Sequence, residues 1–266
     1  MTRAVVSFPP PWCPPQRVVD RLRAVGSAVL APEALIELTG CTRAQLDDLR
    51  RLWNDLPPDA WLRDGGRYRH RRHGCFVVTG DAVTQAPHRA HWQPPEYNAL
   101  HGGLRRWFEP LPPWVAGHAA WNALLRAMAR VADGLRGAQP WHVEAHPFRI
   151  DTTDGIGRPT PEGAHRDGVD LVAVVLVERR GVVGGETRVF DAHGPDGQRF
   201  TLTEPWTALL LDDARVIHET TPIRPAPVAA DPVEGAAASS GGASTAVAAH
   251  RDTLVLTLRA GGFQGD

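Results

Sequence analysis

The sequence of 266 residues contains no lysine, so all 29 of its positively charged side chains are arginine. This absence excludes a phosphate-binding loop of the form GxxxxGK[ST] and a pyridoxal Schiff base, because both need a lysine. Serine is scarce as well. The five serines lie at positions 7, 27, 239, 240 and 244, and none is in a GxSxG turn, which argues against a serine hydrolase.

The sequence is also poor in cysteine and in long apolar runs. Cys13, Cys41 and Cys75 are odd in number, far apart and without a CxxC pair, which argues against a disulfide framework or a thiolate zinc site. The first residues lack the apolar run of a signal peptide, and no stretch approaches the roughly 20 apolar residues of a membrane span. We therefore expect a soluble protein of the reducing cytoplasm with no membrane partner.

Length and charge are those of an ordinary globular protein. Hydrophobic residues make up 42% of the chain, charged residues make up 22%, and the formal net charge is -1. This balance gives no sign of a nucleic-acid partner. The length fits one large domain, and we expect residues 1–266 to form a single domain. The sequence leaves the oligomeric state open, a homodimer included.

The pattern of the chain changes near residue 140. Before it, PQRVVDRLRAVG, TRAQLDDLRRLW and GHAAWNALLRAMARVADGL have helical periodicity, and proline and glycine between them indicate loops, so residues 1–140 predict a helical and loop lobe. Over 141–260, short apolar runs separated by turn residues predict antiparallel hairpins. The fold class expected is mainly β with flanking helices, with a jelly-roll core of two sheets. Residues 226–249, rich in alanine, glycine and serine, predict a flexible insertion between two strands.

One short segment, EGAHRDG, carries two residues of the kind that bind metals. His165 and Asp167 are two apart, so in an extended segment their side chains share a face while Arg166 points away. His218 follows a predicted turn, DDA, that could return the chain to the same end of the sheet. Two histidines and one carboxylate leave three positions open on a metal, which is the arrangement of non-haem iron. We therefore predict that His165, Asp167 and His218 are the metal-binding and catalytic residues.

Several blocks resemble a known family of enzymes. PTPEGAHRDGVDLVAVVLV, GGETRVFD, LTEPWTALLLDDARVIHETTPI and HRDTLVLTLR are similar to the bacterial iron and 2-oxoglutarate dioxygenases that include L-isoleucine 4-hydroxylase. RYRHRRHGCF and HWQPPEYNALHGGLRRWFEPL extend the resemblance over most of residues 65–260. It implies a double-stranded β-helix, a cupin-like jelly roll, with Fe(II) at its open end. It also implies that 2-oxoglutarate and O2 are used and that succinate and CO2 are released.

The far carboxylate of 2-oxoglutarate needs a cation, and an arginine fork with a nearby hydroxyl group suits it. Arg251 and Thr253 are two apart at the start of the last predicted strand, like the Arg-x-Ser pair of related oxygenases. We predict that these two residues bind the co-substrate. Arg224 and Arg259 are the alternatives, and a loop-end role in solvent is the structural alternative for Arg251.

Four residues are candidates for binding the substrate that is oxidised. Arg149 could bind a carboxylate, Gln93 and Asn98 match family positions, and Glu162 lies three residues before His165. A structural salt bridge is an equally good explanation for Arg149. Hydrogen bonding within a loop is the alternative for Gln93 and Asn98.

Two HxxH pairs, His70 with His73 and His88 with His91, have no carboxylate at a recognisable spacing. Packing or surface exposure is the better interpretation of both pairs. The arginines of RDGGRYRHRRHG could suggest RNA binding, but the neutral chain favours a solvated strand face or a part of the substrate lobe.

The resemblance implies hydroxylation of an unactivated C–H bond in a free or lightly modified L-amino acid. The first alternative is the same chemistry on a carrier-bound amino acid or a peptide. The second is a cupin-type metal protein, an isomerase or a sensor, that does not use 2-oxoglutarate. Halogenation is disfavoured because halogenases of this kind replace the carboxylate ligand with a small residue, whereas Asp167 is present.

Overall fold

A computed structural model describes residues 8–98, 100–227 and 249–265 of the chain. The α-helices are α1 (Val18–Val25), α2 (Pro32–Thr39), α3 (Arg43–Asp47) and α4 (Ala119–Arg136), and short 3-10 helices cover Pro15–Arg17, Asp48–Trp53 and Pro113–Val115. The strands are β1 (Ser27–Leu30), β2 (Arg69–Arg71), β3 (Gly74–Thr79), β4 (Ala82–Gln85), β5 (Trp141–Asp151), β6 (Leu171–Arg180), β7 (Val182–Gly184), β8 (Thr187–Asp191), β9 (Gly197–Phe200), β10 (Ala208–Asp212), β11 (Val216–Thr220), β12 (Ile223–Pro225) and β13 (His250–Ala260). The predicted insertion 226–249 lies almost wholly outside the described residues.

The main sheet has the strand order β1-β10-β6-β13-β5-β3-β4, with β2 also paired to β5. A second sheet has the order β11-β8-β9, and a third pairs β12 with β7. Every pairing between these strands is antiparallel. Apolar side chains of β6 and β10 pack against Val189, Phe200 and Val216 of the second sheet. The predicted jelly roll of two packed sheets is therefore confirmed.

The helices cover the other face of the main sheet. The apolar stripe of α4 buries Trp121, Leu124 and Met128 in a core shared with Val143 and Leu256 of the sheet. Helix α1 ends at Gly26, whose φ of 74° lies in the left-handed region that glycine adopts without strain. The three helical patterns predicted from the sequence correspond to α1, α3 with its 3-10 extension, and α4.

The structure also contains strands where the sequence indicated helices and loops. Strands β1, β2, β3 and β4 precede residue 140, and all of them join the main sheet. Strand β2 has the sequence Arg-His-Arg, which has no apolar alternation. Its two arginines are nevertheless buried, at 5% and 4% exposure for Arg69 and Arg71. The solvated strand face considered for this segment is therefore wrong: a strand is present, but its arginines face inwards, contrary to what hydrophobic patterning indicates.

The turn predicted at DDA is present, but it does not make a simple hairpin. Strand β10 belongs to the main sheet, whereas β11 belongs to the second sheet. The chain thus crosses between the two sheets at residues 213–215, and this crossing carries His218 to a position opposite His165, with which it forms a β-bridge.

Two further observations bear on the composition. The described residues include all three cysteines, each of them buried, and no two form a disulfide. Over the described ranges, no helix has both the length and the apolar character needed to cross a membrane.

Candidate active site

A cavity of about 120 Å³ lies between the main sheet and β11. Strand β5 contributes His146, Phe148 and Ile150, whereas its residues of opposite parity, such as Val143 and Ala145, pack under the helices. This alternation follows from the strand period of two. The cavity therefore collects alternate side chains from the inner face of the main sheet.

His165, Asp167 and His218 meet at this cavity. The backbones of His165 and His218 exchange two hydrogen bonds, of 3.0 and 2.9 Å, which places the two imidazole rings 4.6 Å apart. The Nε2 atom of His165 is 3.9 Å from Asp167 Oδ1, and that of His218 is 3.8 Å from Asp167 Oδ2. The structure thus brings together the three residues predicted to bind a metal, which we call the triad.

Neighbouring groups hold the triad in place. His165 Nδ1 is 2.9 Å from the Gly163 carbonyl oxygen, so Nδ1 carries the proton and Nε2 is left as the electron-pair donor. The buried carboxylate of Asp213 accepts hydrogen bonds from the backbone N–H groups of Asp167, Gly168 and Val169, at 3.0, 2.7 and 3.1 Å. These bonds fix the segment that carries Asp167, although it lies outside any strand.

The triad fits a divalent metal ion. One ligand atom can be chosen from each of the three residues so that all lie within 4.8 Å of one another, and two imidazoles with a carboxylate are donors that a divalent metal accepts. Burial lowers the pKa of His218 to about 3, which keeps its imidazole in the neutral form that metals bind. Burial raises the pKa of Asp167, and a bound cation would offset this cost. The set leaves coordination positions open for other ligands.

Arg251 and Thr253 line the same cavity, from the start of β13. Both are 3% exposed, and they lie opposite Ile150 and Phe148 of β5. Within the described part of the chain, Nε and Nη2 of Arg251 are buried without a hydrogen-bond partner. Burial lowers the pKa of Arg251 to about 10, so the side chain remains a cation at neutral pH. A buried cation with two unused donors is suited to binding a carboxylate.

The two alternatives to Arg251 lie elsewhere. Arg224 is exposed at β12, and the Nη1 atom of Arg259 donates to the Gly262 carbonyl oxygen at 2.9 Å. Neither is among the residues that line the cavity.

Arg149 does not reach the cavity, contrary to its proposed role in binding the substrate. On β5 its side chain lies on the face opposite to that of Phe148 and Ile150. It donates to both carboxylate oxygens of Asp252, at 2.8 and 2.6 Å. It lines a different cavity on the outer face of the sheet. The structural salt bridge weighed from the sequence is thus the role that the contacts of Arg149 support.

Gln93, Asn98 and Glu162 all line the cavity. Gln93 donates from Nε2 to Asp167 Oδ1 at 3.0 Å and accepts from Asn98 Nδ2, also at 3.0 Å. Glu162 places Oε1 3.6 Å from His165 Nε2, and its Oε2 is buried without a partner among the described residues. The first two therefore join the surroundings of the triad, while Glu162 offers an unused acceptor.

Three further arginines line the cavity: Arg69 and Arg71 belong to the block RDGGRYRHRRHG, whereas Arg106 was not singled out from the sequence. Arg69, Arg71 and Arg106 are 5%, 4% and 2% exposed. The strand alternation that places Arg69, Arg71 and His73 on one face could have indicated the first two. Arg106 lies in a loop, where no periodicity indicates which side chains point inwards. We call these three residues the arginine cluster.

Glu144 is surrounded by three buried imidazoles. Its Oε2 is 3.1 Å from His73 Nε2, 2.5 Å from His91 Nδ1 and 3.6 Å from His146 Nε2. The four side chains, which we call the Glu144 cluster, also have the donor types of a metal site. However, Arg71 Nη2 lies 2.6 Å from His146 Nδ1, and an arginine only donates. The proton of His146 is therefore on Nε2, so this arrangement favours a hydrogen-bonded cluster over a metal site.

Electrostatics keeps the Glu144 cluster in a single protonation state. Burial lowers the pKa of His91 to about 4, and burial also lowers the pKa values of His73 and His146. Although burial opposes ionisation of Glu144, its interactions with His91 and His73 hold the pKa of this carboxyl well below its usual value. The cluster therefore holds one carboxylate and three neutral imidazoles.

His70 and His88, the other members of the HxxH pairs, contact Asp151 and the Phe108 carbonyl oxygen instead.

Comparison with known proteins identifies relatives of this chain. The family model described as 2OG-Fe dioxygenase matches residues 50–233, a range that contains the whole triad. A comparison with curated protein sequences gave no match. The crystal structure of a bsmA homolog from Methylobium petroleophilum PM1 is 52% identical in sequence. It covers 98% of this chain and 99% of its own, with a TM-score of 0.84.

More distant structures share the fold. IDO from Bacillus thuringiensis is 14% identical, with coverage of 99% of this chain and 100% of its own and a TM-score of 0.69. The Fe(II)/α-ketoglutarate-dependent dioxygenase TqaL is 19% identical, with coverage of 92% and 86% and a TM-score of 0.64. At these identities the likeness extends to the fold alone.

Proposed function

Because the chain belongs to the 2OG-Fe dioxygenase family, we propose that it hydroxylates an unactivated C–H bond of a free or lightly modified L-amino acid. Its cofactor is Fe(II), and its co-substrates are 2-oxoglutarate and O2. The family membership sets aside a cupin-type metal protein that works without 2-oxoglutarate. We also propose that residues 1–266 form one oxygenase domain, because loops and strands before residue 140 line the same cavity as the jelly-roll core.

In this proposal the triad holds the iron, and Arg251 with Thr253 binds the far carboxylate of 2-oxoglutarate. A bound iron would supply the redox chemistry by which O2 takes two electrons from 2-oxoglutarate, which becomes succinate and CO2, and two from the substrate C–H bond, which becomes C–OH; one oxygen atom enters succinate and the other enters the hydroxyl group. Val174 and Val255 line the cavity beside Thr253 and would exclude water from the co-substrate. One observation carries the assignment of Arg251: this buried cation has two donor atoms without partners in the described chain, and it lines the same cavity as the triad.

One observation supports an amino acid as the substrate. Glu162 Oε2 and Arg106 Nε are both buried without partners among the described residues, and they carry opposite charges in the same cavity. A zwitterion would supply an ammonium group to Glu162 and a carboxylate to Arg106, and so satisfy both. Each unsatisfied buried group costs about 1–3 kcal/mol, so a ligand that pairs both is favoured.

The first experiment measures succinate release. Protein loaded with Fe(II) without oxygen is given 2-oxoglutarate, O2 and each proteinogenic amino acid in turn. We expect at least one amino acid to stimulate succinate release, and the product to carry one added oxygen atom. His218→Ala should abolish this release, whereas His193→Ala removes an exposed histidine outside the cavity and should leave it unchanged.

The outcomes separate the alternatives. If the protein binds iron and 2-oxoglutarate but no free amino acid stimulates turnover, a carrier-bound amino acid or a peptide becomes the better substrate class. If 2-oxoglutarate does not bind to the iron-loaded protein, the proposed function is wrong.

A further inference from the structure

The arginine cluster holds more positive charge than one substrate carboxylate needs. Arg69 Nε donates to Asp59 Oδ2 at 2.7 Å, and Arg71 Nη1 lies 4.0 Å from the same oxygen. Arg106 has no carboxylate partner in the described residues, and its Nη2 donates to Gln93 Oε1 at 2.9 Å. Among the described ion pairs, Asp59 therefore contacts two of the three buried cations, and Arg106 is left without a carboxylate contact.

Each member of the cluster retains an unused donor. Arg69 Nη2, Arg71 Nε and Arg106 Nε are buried without hydrogen-bond partners in the part of the chain that the structure describes. A buried guanidinium with an unused N–H group is costly, because it has lost its water and gained no partner. The cost indicates a ligand with several acceptor oxygens.

The geometry of the cluster is fixed before any ligand binds. The guanidinium of Arg71 lies over the rings of Phe108 and Phe148, at 3.7 and 4.3 Å from their centroids. Its Nη2 is held by His146, which belongs to the Glu144 cluster. Burial and the charge of Arg69 lower the pKa of Arg106 to about 10, while the nearby carboxylates of Asp59, Glu162 and Glu144 partly oppose this shift. A preorganised set of donors of this kind binds anions without reorganisation.

Polar side chains predominate in the cavity wall around Arg106, whereas Ile150 and Phe148 lie opposite Arg69 and Arg71. The cavity residues nearest in the chain to Arg106 are His91, Gln93, Asn98 and His101, all of them polar. Four aliphatic residues line the cavity: Ile150, which lies opposite both Arg69 and Arg251, and Pro159, Val174 and Val255. A site for the side chain of isoleucine would need an apolar wall.

We infer that the substrate carries a second acidic group besides its α-carboxylate, and that the arginine cluster binds the two acidic groups together. The substrate class is then an amino acid with an acidic side chain, such as a dicarboxylic amino acid. This inference rests on the proposed function and narrows it. Glu162 remains the acceptor for the ammonium group.

The test measures binding to the full chain loaded with Fe(II) and saturating 2-oxoglutarate, without oxygen, by titration calorimetry. The ligands are L-aspartate and L-glutamate, their neutral amides L-asparagine and L-glutamine, and L-isoleucine. We expect one of the acids to bind at least 10-fold more tightly than its own amide and than L-isoleucine. Equal binding of acid and amide, or preferred binding of L-isoleucine, overturns the inference.

A variant locates the effect. Arg106→Met removes the one cluster arginine without a carboxylate partner in the described chain, so it leaves no buried carboxylate unpaired. It should weaken binding of the preferred acid by at least 10-fold. Binding is measured at Fe(II) and 2-oxoglutarate concentrations that saturate the variant, because Arg106 also donates to the Gln93 amide that contacts Asp167. Unchanged binding of the acid would overturn the role of the cluster. The comparison of acid with amide in the unaltered protein stands even if this variant does not fold.

A further pair of ligands separates this inference from the proposed function. If no free amino acid binds, the proposal of a free amino acid fails, and N-acetyl-L-glutamate is compared with N-acetyl-L-glutamine. Tighter binding of the acid then retains the arginine cluster as a site for a second acidic group. Equal binding, or no binding of the acid, overturns it.

Discussion

Gln93 donates a hydrogen bond from Nε2 to Oδ1 of Asp167, over 3.0 Å. The orientation of this amide is fixed, because Gln93 Oε1 already accepts from Asn98 Nδ2 and Arg106 Nη2, at 3.0 and 2.9 Å. The amide therefore connects the arginine cluster to the carboxylate of the triad. In this arrangement Oδ2 is the Asp167 oxygen that Gln93 leaves unused, and it would be available to a metal ion.

Gln93→Leu should weaken iron binding by about 10- to 100-fold, the range usual for groups that orient metal ligands. The variant removes the donor to Asp167 and leaves the carboxylate free to rotate. Fe(II) affinity is measured by anaerobic titration. Gln85→Leu, the same change at an exposed residue of β4, is the control and should bind iron like the unaltered protein. Equal affinities of the two variants would contradict the positioning role of Gln93.

Arg251→Leu should raise the KM for 2-oxoglutarate by about 100-fold or more, because two charge-assisted hydrogen bonds are lost. Iron affinity should change little, since Arg251 makes no contact with the triad among the described residues. Arg224→Leu is the control, because Arg224 is the alternative from the sequence and lies exposed outside the cavity. A large rise of KM in Arg224→Leu alone would transfer the co-substrate role to Arg224.

The Glu144 cluster should make the protein sensitive to acid. Burial lowers the pKa of His91 to about 4, so in the folded state it stays neutral below pH 6.5, where an unfolded imidazole binds a proton. The unfolded state thus binds more protons between about pH 6.5 and 4, and the free energy of unfolding falls as the pH is lowered through this window. The dependence is about 1.4 kcal/mol per pH unit for each such proton.

His91→Gln should reduce the slope of the free energy of unfolding against pH by the contribution of about one proton. The measurement is the free energy of unfolding between pH 7.5 and 4.5, followed by circular dichroism in denaturant. The groups that face His91 are Glu144, His73, His146 and Arg106, and all of them remain in the variant. His193→Ala removes an exposed histidine and is the control. Parallel curves for His91→Gln and the unaltered protein would show that His91 does not titrate as proposed.

The sequence led to the triad because the information is local. His165 and Asp167 are two residues apart, and a single turn before His218 sufficed to place it nearby. The roles of arginines were harder to predict, since both faces of β5 are buried, one under the helices and one in the cavity. Hydrophobicity did not reveal whether Arg149 or its neighbours Phe148 and Ile150 faced the cavity. Arg106 and Asn98 reach the site from loops, whose paths depend on contacts that are distant in sequence.

Arg149 forms an ion pair with Asp252 instead of the predicted contact with the substrate, and a substitution can test this role. Arg149→Leu should leave Asp252, which is 2% exposed in its side chain, without its bidentate partner. We expect the free energy of unfolding to fall by about 2–3 kcal/mol. This is at the low end of the loss usual for breaking a buried ion pair, because Arg149 itself is partly exposed. Denaturant unfolding measures this loss, and KM for the amino acid should stay unchanged. The double variant with Asp252→Leu should recover part of the stability, since no unpaired charge remains buried. A raised KM in Arg149→Leu, without a loss of stability, would instead return Arg149 to the substrate site.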